Sequence, residues 1–215
     1  HNGNFKKQLP FAWLFYLVKY KDKKILIDTG FSKKKYARMF KVKMKAPIKI
    51  LKKMGIQPKE ITHIIITHAH FDHIGNVHRF PNAKIIIQKD ELSWIKYRFK
   101  GLRKVSRYLK RNKKKIITFK NKYTLFDFIE IKKIGGHSIG SSVVMLNLFL
   151  FPSDECYVRD NCRLGIPTGS NYNLRKNRKF VSYVMNSQLI PLPFHDMSIV
   201  PKGKDFIRIY PKNKN

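Results

Sequence analysis

"ITHIIITHAHFDHIGN", residues 61–76, sets three histidines and an aspartate within six positions, directly after an apolar run. Ile61, Ile64, Ile65 and Ile66, with Thr62 and Thr67, are β-branched, so Ile61–Thr67 is predicted to be a buried strand. His68, His70, Asp72 and His73 follow as H-x-H-x-D-H. Imidazole and carboxylate suit zinc, and also iron or manganese. While the chain stays extended, His68 and His70 point the same way. Asp72 and His73 then face a neighbouring position as the chain turns, so one segment can serve two metals. Gly75 stands where a tight turn into a helix needs a residue without Cβ.

A metal centre of one ion wants at least three protein ligands, and a two-metal centre more, so further ligands are expected downstream. His137 lies in "IGGHSIGSS", a glycine-rich turn between two predicted strands. Asp154 lies in "FPSDECY", after a strand, and His195 in "LIPLPFHD", after a short one. Loop positions at strand ends are where such ligands converge. A chance scatter of eight histidines does not account for four ligand types in six residues with three more at strand ends. His63, at the start of the strand, and His78, in "NVHRF", fit no such position and are expected to be structural or surface residues.

The 215 residues suit a single domain, 1–215, and 43% hydrophobic residues suffice for a sizeable core. Cys156 and Cys162 are the two cysteines, so no disulfide framework is indicated and a reducing, cytoplasmic setting is expected. The apolar runs 9–18 and 143–151 are shorter than the ~20 residues a membrane span needs. Residues 9–18 also lack the cleavage pattern of a signal peptide. The net charge of +33 admits a polyanionic partner such as nucleic acid. Against this, lysine outnumbers arginine 35 to 11, with Ile, Asn, Phe and Tyr abundant, as AT-rich coding produces. Residues 92–126 hold thirteen Lys or Arg and no acid, with Trp94, Tyr97, Phe99, Tyr108 and Phe119 interleaved. Such a stretch serves either a nucleic-acid surface or a solvated helix face with its rings turned inward, and the second is favoured.

Residues 9–18 and 25–27 are predicted to form a hairpin, and 33–54 a helix broken at Pro47 and capped by Gly55. A strand at 84–88, a helix from an Asp90 cap towards Asn112, and strands at 116–118, 128–134 and 143–151 follow. The chain then predicts a helix at 174–186 and strands at 188–192 and 206–210. The alternation suggests an α/β sandwich of two mixed sheets with helices outside.

These motifs resemble the metallo-β-lactamase superfamily. "THAHFDHIGN" is similar to its signature, and "DTG" at 28–30, "GGHSIG", "SDECY" and "PFHD" are similar to its later motifs, in order and over nearly the whole chain. The resemblance implies a four-layer αββα sandwich. It implies that His68, His70 and His137 hold one metal and that Asp72, His73 and His195 hold the second. Asp154 would bridge them, and Asp28 would orient a ligand histidine. Zinc is the expected metal, with iron or manganese as alternatives. "SDECYVRDN" resembles N-acyl-homoserine lactonases, whose tyrosine three residues past the bridging aspartate meets the substrate carbonyl; that residue is Tyr157. Four positions depart from the pattern: Asn76 for a second glycine, Gly136 for a proline, Ser141 for a histidine and Ser153 for a glycine.

The resemblance implies hydrolysis of a small-molecule ester or lactone by a metal-bridging hydroxide, with Asp72 passing a proton to the leaving alkoxide and Tyr157 assisting at the carbonyl. The fold hosts many reactions, so two alternatives stand. One is an RNA or phosphodiester nuclease, which the charge favours and the short length disfavours. The other is a thioester hydrolase, whose relatives carry an extra helical domain.

Overall fold

The computed structural model describes residues 11–98 and 102–209, with the backbone alone for 96–98. Among the described residues ten strands form two five-stranded sheets. The first holds β1 (Tyr16–Tyr20), β2 (Lys23–Ile27), β3 (His63–Ile66), β4 (Lys84–Gln88) and β5 (Ile116–Phe119), in chain order. β1 and β2 are an antiparallel hairpin, and the other pairs are parallel. The second holds β6 (Lys122–Leu125), β7 (Ile129–Lys133), β8 (Ser142–Leu146), β9 (Phe149–Phe151) and β10 (Ile190–Pro191). It is antiparallel except where β10 joins β9. β10 is an edge, where Pro191 costs no ladder bond.

The isoleucine runs explain the layers. A strand covered on both faces has no polar side, so it reads as continuous apolar sequence. Ile25, Ile27, Ile65 and Ile86 turn inward and meet Ile129, Ile131, Val144, Phe151 and Phe194 between the sheets. Leu26, Ile64, Ile66, Ile85 and Ile87 turn outward. They pack on Leu51 of α2 (Pro47–Lys53), on Phe80, and on Val105 and Leu109 of α5 (Arg103–Arg111). On the far side, Val143 and Leu150 meet Phe180, Val181 and Val184 of α7 (Leu174–Met185). The result is the four-layer αββα sandwich.

Several boundaries differ from expectation. Residues 11–15 are not strand: the N–H groups of Ala12 and Leu14 donate to the carbonyls of His195 and Phe194, holding this segment beside His195. Over 33–54 the expected break at Pro47 is present, but α1 (Lys34–Met39) ends early and residues 40–46 are not helical before Pro47 starts α2. The helix after Gln88 begins at Lys89, not at an Asp90 cap, and appears as α4 (Lys89–Arg98) and α5. The run 143–151 is a hairpin, turning at Asn147 with φ 52°. β6 had no predicted counterpart. Residues 206–209 form no strand, and Tyr210 lies outside the described residues.

The cysteine expectation is also corrected. A 3-10 turn at Ser153–Glu155 and α6 (Arg159–Arg163) fold the chain back, so Cys156 and Cys162 come 5.7 Å apart at Cα and form a disulfide. Among the described residues no helix is long and apolar enough to cross a membrane.

Ile65 is fully buried between the sheets. Ile65→Ala should therefore cost about 2–5 kcal/mol. At roughly 2–4 °C per kcal/mol for a chain of this size, the melting temperature should fall by about 5–15 °C in a circular-dichroism melt. A fall under about 2 °C would contradict the packing described.

Candidate metal centre

The centre is built on strand ends: Asp28 after β2, the His68–His73 segment after β3, His137 between β7 and β8, Asp154 after β9 and His195 after β10. β2 ends in Asp28, whose φ of 60° turns the chain across the sheet edge. Asp28 accepts from the N–H and the hydroxyl of Thr67 at 2.8 and 2.7 Å, which ties the end of β2 to the end of β3. His68 and His70 follow on extended chain, and α3 (Phe71–Ile74) lifts Asp72 and His73. The His73 carbonyl accepts from the N–H and hydroxyl of Thr29 at 2.7 and 2.9 Å. Gly75 closes the turn; a Cβ there would sit 2.2 Å from the Phe71 carbonyl oxygen.

The seven predicted ligand residues converge. Ligand atoms of His68, His70, His137 and Asp154 form one group, and those of Asp72, His73 and His195 another, each within 4.8 Å. In the first, His68 Nε2 and His137 Nε2 lie 2.9 and 3.1 Å from His70 Nδ1. Asp154 stands between the groups. Its Oδ2 is 3.7 Å from His68 Nε2 and 3.3 Å from His137 Nε2. Its Oδ1 is 3.1 Å from both His73 Nε2 and His195 Nε2. Asp72 Oδ2 lies 3.6 Å from His73 Nε2 and 3.8 Å from His195 Nε2. His73 Nε2 is buried with no hydrogen bond, despite its short distance to Asp154. An orphaned imidazole nitrogen among converging lone pairs fits a bound cation, and the all-nitrogen-and-oxygen donor set suits zinc, iron or manganese.

The other ring nitrogens are held from behind. His73 Nδ1 meets Asp28 Oδ2 at 2.7 Å, His137 Nδ1 donates to the Ser170 carbonyl at 2.9 Å, and His195 Nδ1 to the Ala12 carbonyl at 2.8 Å. His68 Nδ1 lies 3.1 Å from Ser153 Oγ. Such partners choose the tautomer and aim the opposite nitrogen at the centre. Burial first, and then the neighbouring His73, holds His68 well below its usual range; burial with His137 beside it holds His70 down to about 4. Burial also opposes charge on His73 and His195, but the carboxylates of Asp154 and Asp72 outweigh it and raise both. Asp154, conversely, is held well below the carboxylate range by the surrounding histidines, against its own burial.

Two buried glutamates shape the loops, and sequence reasoning passed over both. Glu91, on α4, accepts from Ala69 N and Gly140 N at 2.8 Å and from the Ser138 hydroxyl. Glu155 accepts from Gly136 N and His137 N at 2.9 and 3.0 Å, from Ser141 Oγ, and from Asn177 Nδ2 at 2.7 Å. Their signal was faint, one acid among helix-start residues and one beside Asp154. Glu155 also accounts for two of the four departures from the family pattern, Gly136 and Ser141. A proline at 136 would lack the N–H that Glu155 accepts, and a Cβ there would sit 2.3 Å from Glu155 Oε2. Ser141 joins the same carboxylate. Ser153 adopts φ 53°, a glycine-like conformation, yet contributes the hydroxyl beside His68. Asn76 bonds the Thr29 carbonyl at 3.0 Å.

Tyr157 packs edge-on to His137 and His195, with ring centroids 5.9 and 5.6 Å away. Phe11 lies 5.8 Å from Tyr157, and Trp13 lies 5.9 Å from His195. Phe11 and Trp13 were missed, since they come from the segment expected to be strand; Tyr157 was expected near the centre. His63 sits beside Phe126, and His78 lies away from the centre, as expected. In the basic stretch the rings turn inward: Phe119 is buried, the Tyr108 hydroxyl donates to the Phe80 carbonyl, and Trp94 lies 6.2 Å from His70. Phe99 and the Tyr97 side chain lie outside the described residues.

Residues 14–143 match the model of the family described as the metallo-beta-lactamase superfamily. An N-acyl homoserine lactonase of Bacillus cereus is 28% identical over 158 residues, covering 70% of this chain and 62% of that protein. The chain thus spans less than two thirds of that relative's length. Metallo-beta-lactamase domain-containing protein 1 of Xenopus laevis is 42% identical over 40 residues, 19% of this chain and 17% of that protein. Among solved structures, an N-acyl homoserine lactone hydrolase with N-hexanoyl-L-homoserine at its catalytic metal centre gives a TM-score of 0.74 at 21% identity, covering 89% of this chain and 84% of that one. The dizinc quorum-quenching lactonase AidC gives 0.69 at 21% identity, over 87% and 73%. At those identities the two structures show a shared fold.

Glu155→Ala would strand two buried N–H groups, at about 1–3 kcal/mol each. We expect a clearly lower melting temperature and a metal content below that of the unaltered chain, with every candidate ligand still present. Unchanged metal content by atomic emission would show that the loop holds His137 without the glutamate.

Proposed function

The chain belongs to the metallo-beta-lactamase superfamily, and on that premise we propose that it is a two-metal hydrolase of a small ester or lactone, of the N-acyl homoserine lactonase kind. The observation that carries this is Asp154, with one oxygen toward His68 and His137 and the other toward His73 and His195. In this reading His68, His70 and His137 hold one ion, and Asp72, His73 and His195 the other. Asp154 serves both. The donor set favours zinc, and one structural neighbour is named as a dizinc enzyme. When bound, the metals supply Lewis acidity and a nucleophile at neutral pH.

The chain's own residues do the rest. Asp28 keeps His73 in the tautomer that leaves Nε2 free for the centre. Burial and then Asp154 raise the Tyr157 hydroxyl above the usual phenol range, so it stays protonated. It donates a hydrogen bond to the substrate carbonyl oxygen as negative charge develops there. Asp72, its side chain 10% exposed, takes the proton and delivers it to the leaving alkoxide. Phe11, Trp13 and Tyr157 form an apolar wall for an acyl chain. The net charge of +33 is what favours a phosphodiester substrate instead. Against that, Phe119 is buried and the Tyr108 hydroxyl is bonded to the Phe80 carbonyl, so among the described residues neither of these rings is offered to a base.

A panel of acyl homoserine lactones, a thioester and a bis-aryl phosphodiester separates these substrates, read by product chromatography with metal content measured in parallel. We expect about two metals per chain and lactone opening that chelation abolishes. Asp154→Ala and His137→Ala should lose turnover without unfolding. Tyr157→Phe should lower kcat by up to about 10²–10³-fold, the scale for one oxyanion donor, with KM little changed. Phosphodiester cleavage without lactone opening would replace the proposal.

A further inference from the structure

A second cavity, of about 80 Å³, lies between the segment entering α1, the turn after α3 and the start of α5. One water needs about 10–15 Å³ on this measure, so the space holds several water-sized groups. Lys33, Arg79 and Lys104 line it, and among the described residues no acid does. Ser32 and His78 line it too, and among the described residues the buried atoms Ser32 Oγ and His78 Nδ1 have no hydrogen-bond partner. Buried polar atoms are seldom left so, and a ligand is one way to satisfy them. The His78 imidazole is held below its usual range, first by burial and then by Arg79, Lys104 and Lys33. It therefore stands neutral near Arg79, Lys104 and Lys33, the last lying over the Tyr36 ring at 5.8 Å, and in its Nδ1–H tautomer it has a donor to offer. Phe71 and Leu102 give the cavity an apolar floor. The Phe71 ring is fixed there, stacked on Tyr36 with centroids 4.1 Å apart.

We propose that this pocket binds a phosphate group, at a site separate from the metal centre. A phosphate carries about −1.5 to −2 charges and three acceptor oxygens at neutral pH. Three cations and two neutral donors match that; a carboxylate offers two oxygens and one charge. Arg79 provides the fork that pairs with two phosphate oxygens at once. The phosphate is either free or carried on a small apolar body that rests on Phe71 and Leu102. Neither form depends on the hydrolase reading, because none of the candidate metal ligands lines the pocket.

Isothermal titration of the metal-loaded full chain at about 0.15 M salt tests this, with inorganic phosphate, phenyl phosphate and benzoate as probes. Both phosphates should bind saturably, one per chain, and benzoate at least about tenfold more weakly. Arg79→Gln with Lys104→Gln should weaken phosphate at least about tenfold while metal content and melting temperature stay unchanged. Lys110→Gln, on α5 outside the pocket, should change nothing. Phenyl phosphate binding about tenfold tighter than phosphate assigns a small organic phosphate; equal affinity assigns the free ion. Phosphate can also coordinate the metals themselves, so the chelator-stripped chain and Asp154→Ala must keep the binding. Loss in both, an equal loss in Lys110→Gln, or no saturable binding overturns the proposal.

Discussion

One carboxylate carries the architecture of the centre. Asp154 is 5% exposed and faces histidine nitrogens on both sides, His68 and His137 through one oxygen, His73 and His195 through the other. A buried anion among converging lone pairs is costly unless a cation or a proton compensates it. The imidazoles cannot rotate away, since Asp28, Ser153, Ser170 and Ala12 hold their far sides. The scaffold therefore keeps a set of donors whose mutual arrangement only positive charge makes favourable.

Holding loops that tightly requires anchors of their own. Glu91 and Glu155 take backbone N–H groups that no strand or helix satisfies, at residues 69, 136, 137 and 140. Gly136 follows from this, since both its N–H and its missing Cβ are needed beside Glu155. Five of the chain's thirteen acids, Asp28, Glu91, Asp154, Glu155 and Asp196, are buried. Among the described residues no lysine is. That division sharpens the cationic character of the surface without assigning the whole of it to a partner. The pocket at Arg79 and Lys104 is where surface charge meets a shaped, partly buried cavity.

Much of this was legible in the chain. The isoleucine runs marked strands covered on two sides, and H-x-H-x-D-H with His137, Asp154 and His195 marked the seven residues that converge in the fold. Other features were hidden because their cause is not local. β6 is short and alternates weakly, and it exists because β7 offers it an edge. Residues 11–15 look like strand but are drawn to His195 and Phe194, which places Phe11 and Trp13 at the site. The disulfide depends on a turn that two widely used residue types, Ser and Asp, do not announce.

Donor-type side chains and β-branched runs are properties of single residues and near neighbours, so the order of residues was enough to pick out the histidines and aspartates that converge and the strands that carry them. Tertiary structure alone decided that one aspartate faces two groups, that two glutamates hold the loops, and that Ser32, His78, Arg79 and Lys104 share a cavity. Those are relations between residues tens of positions apart, and they exist only once two sheets have closed on one core.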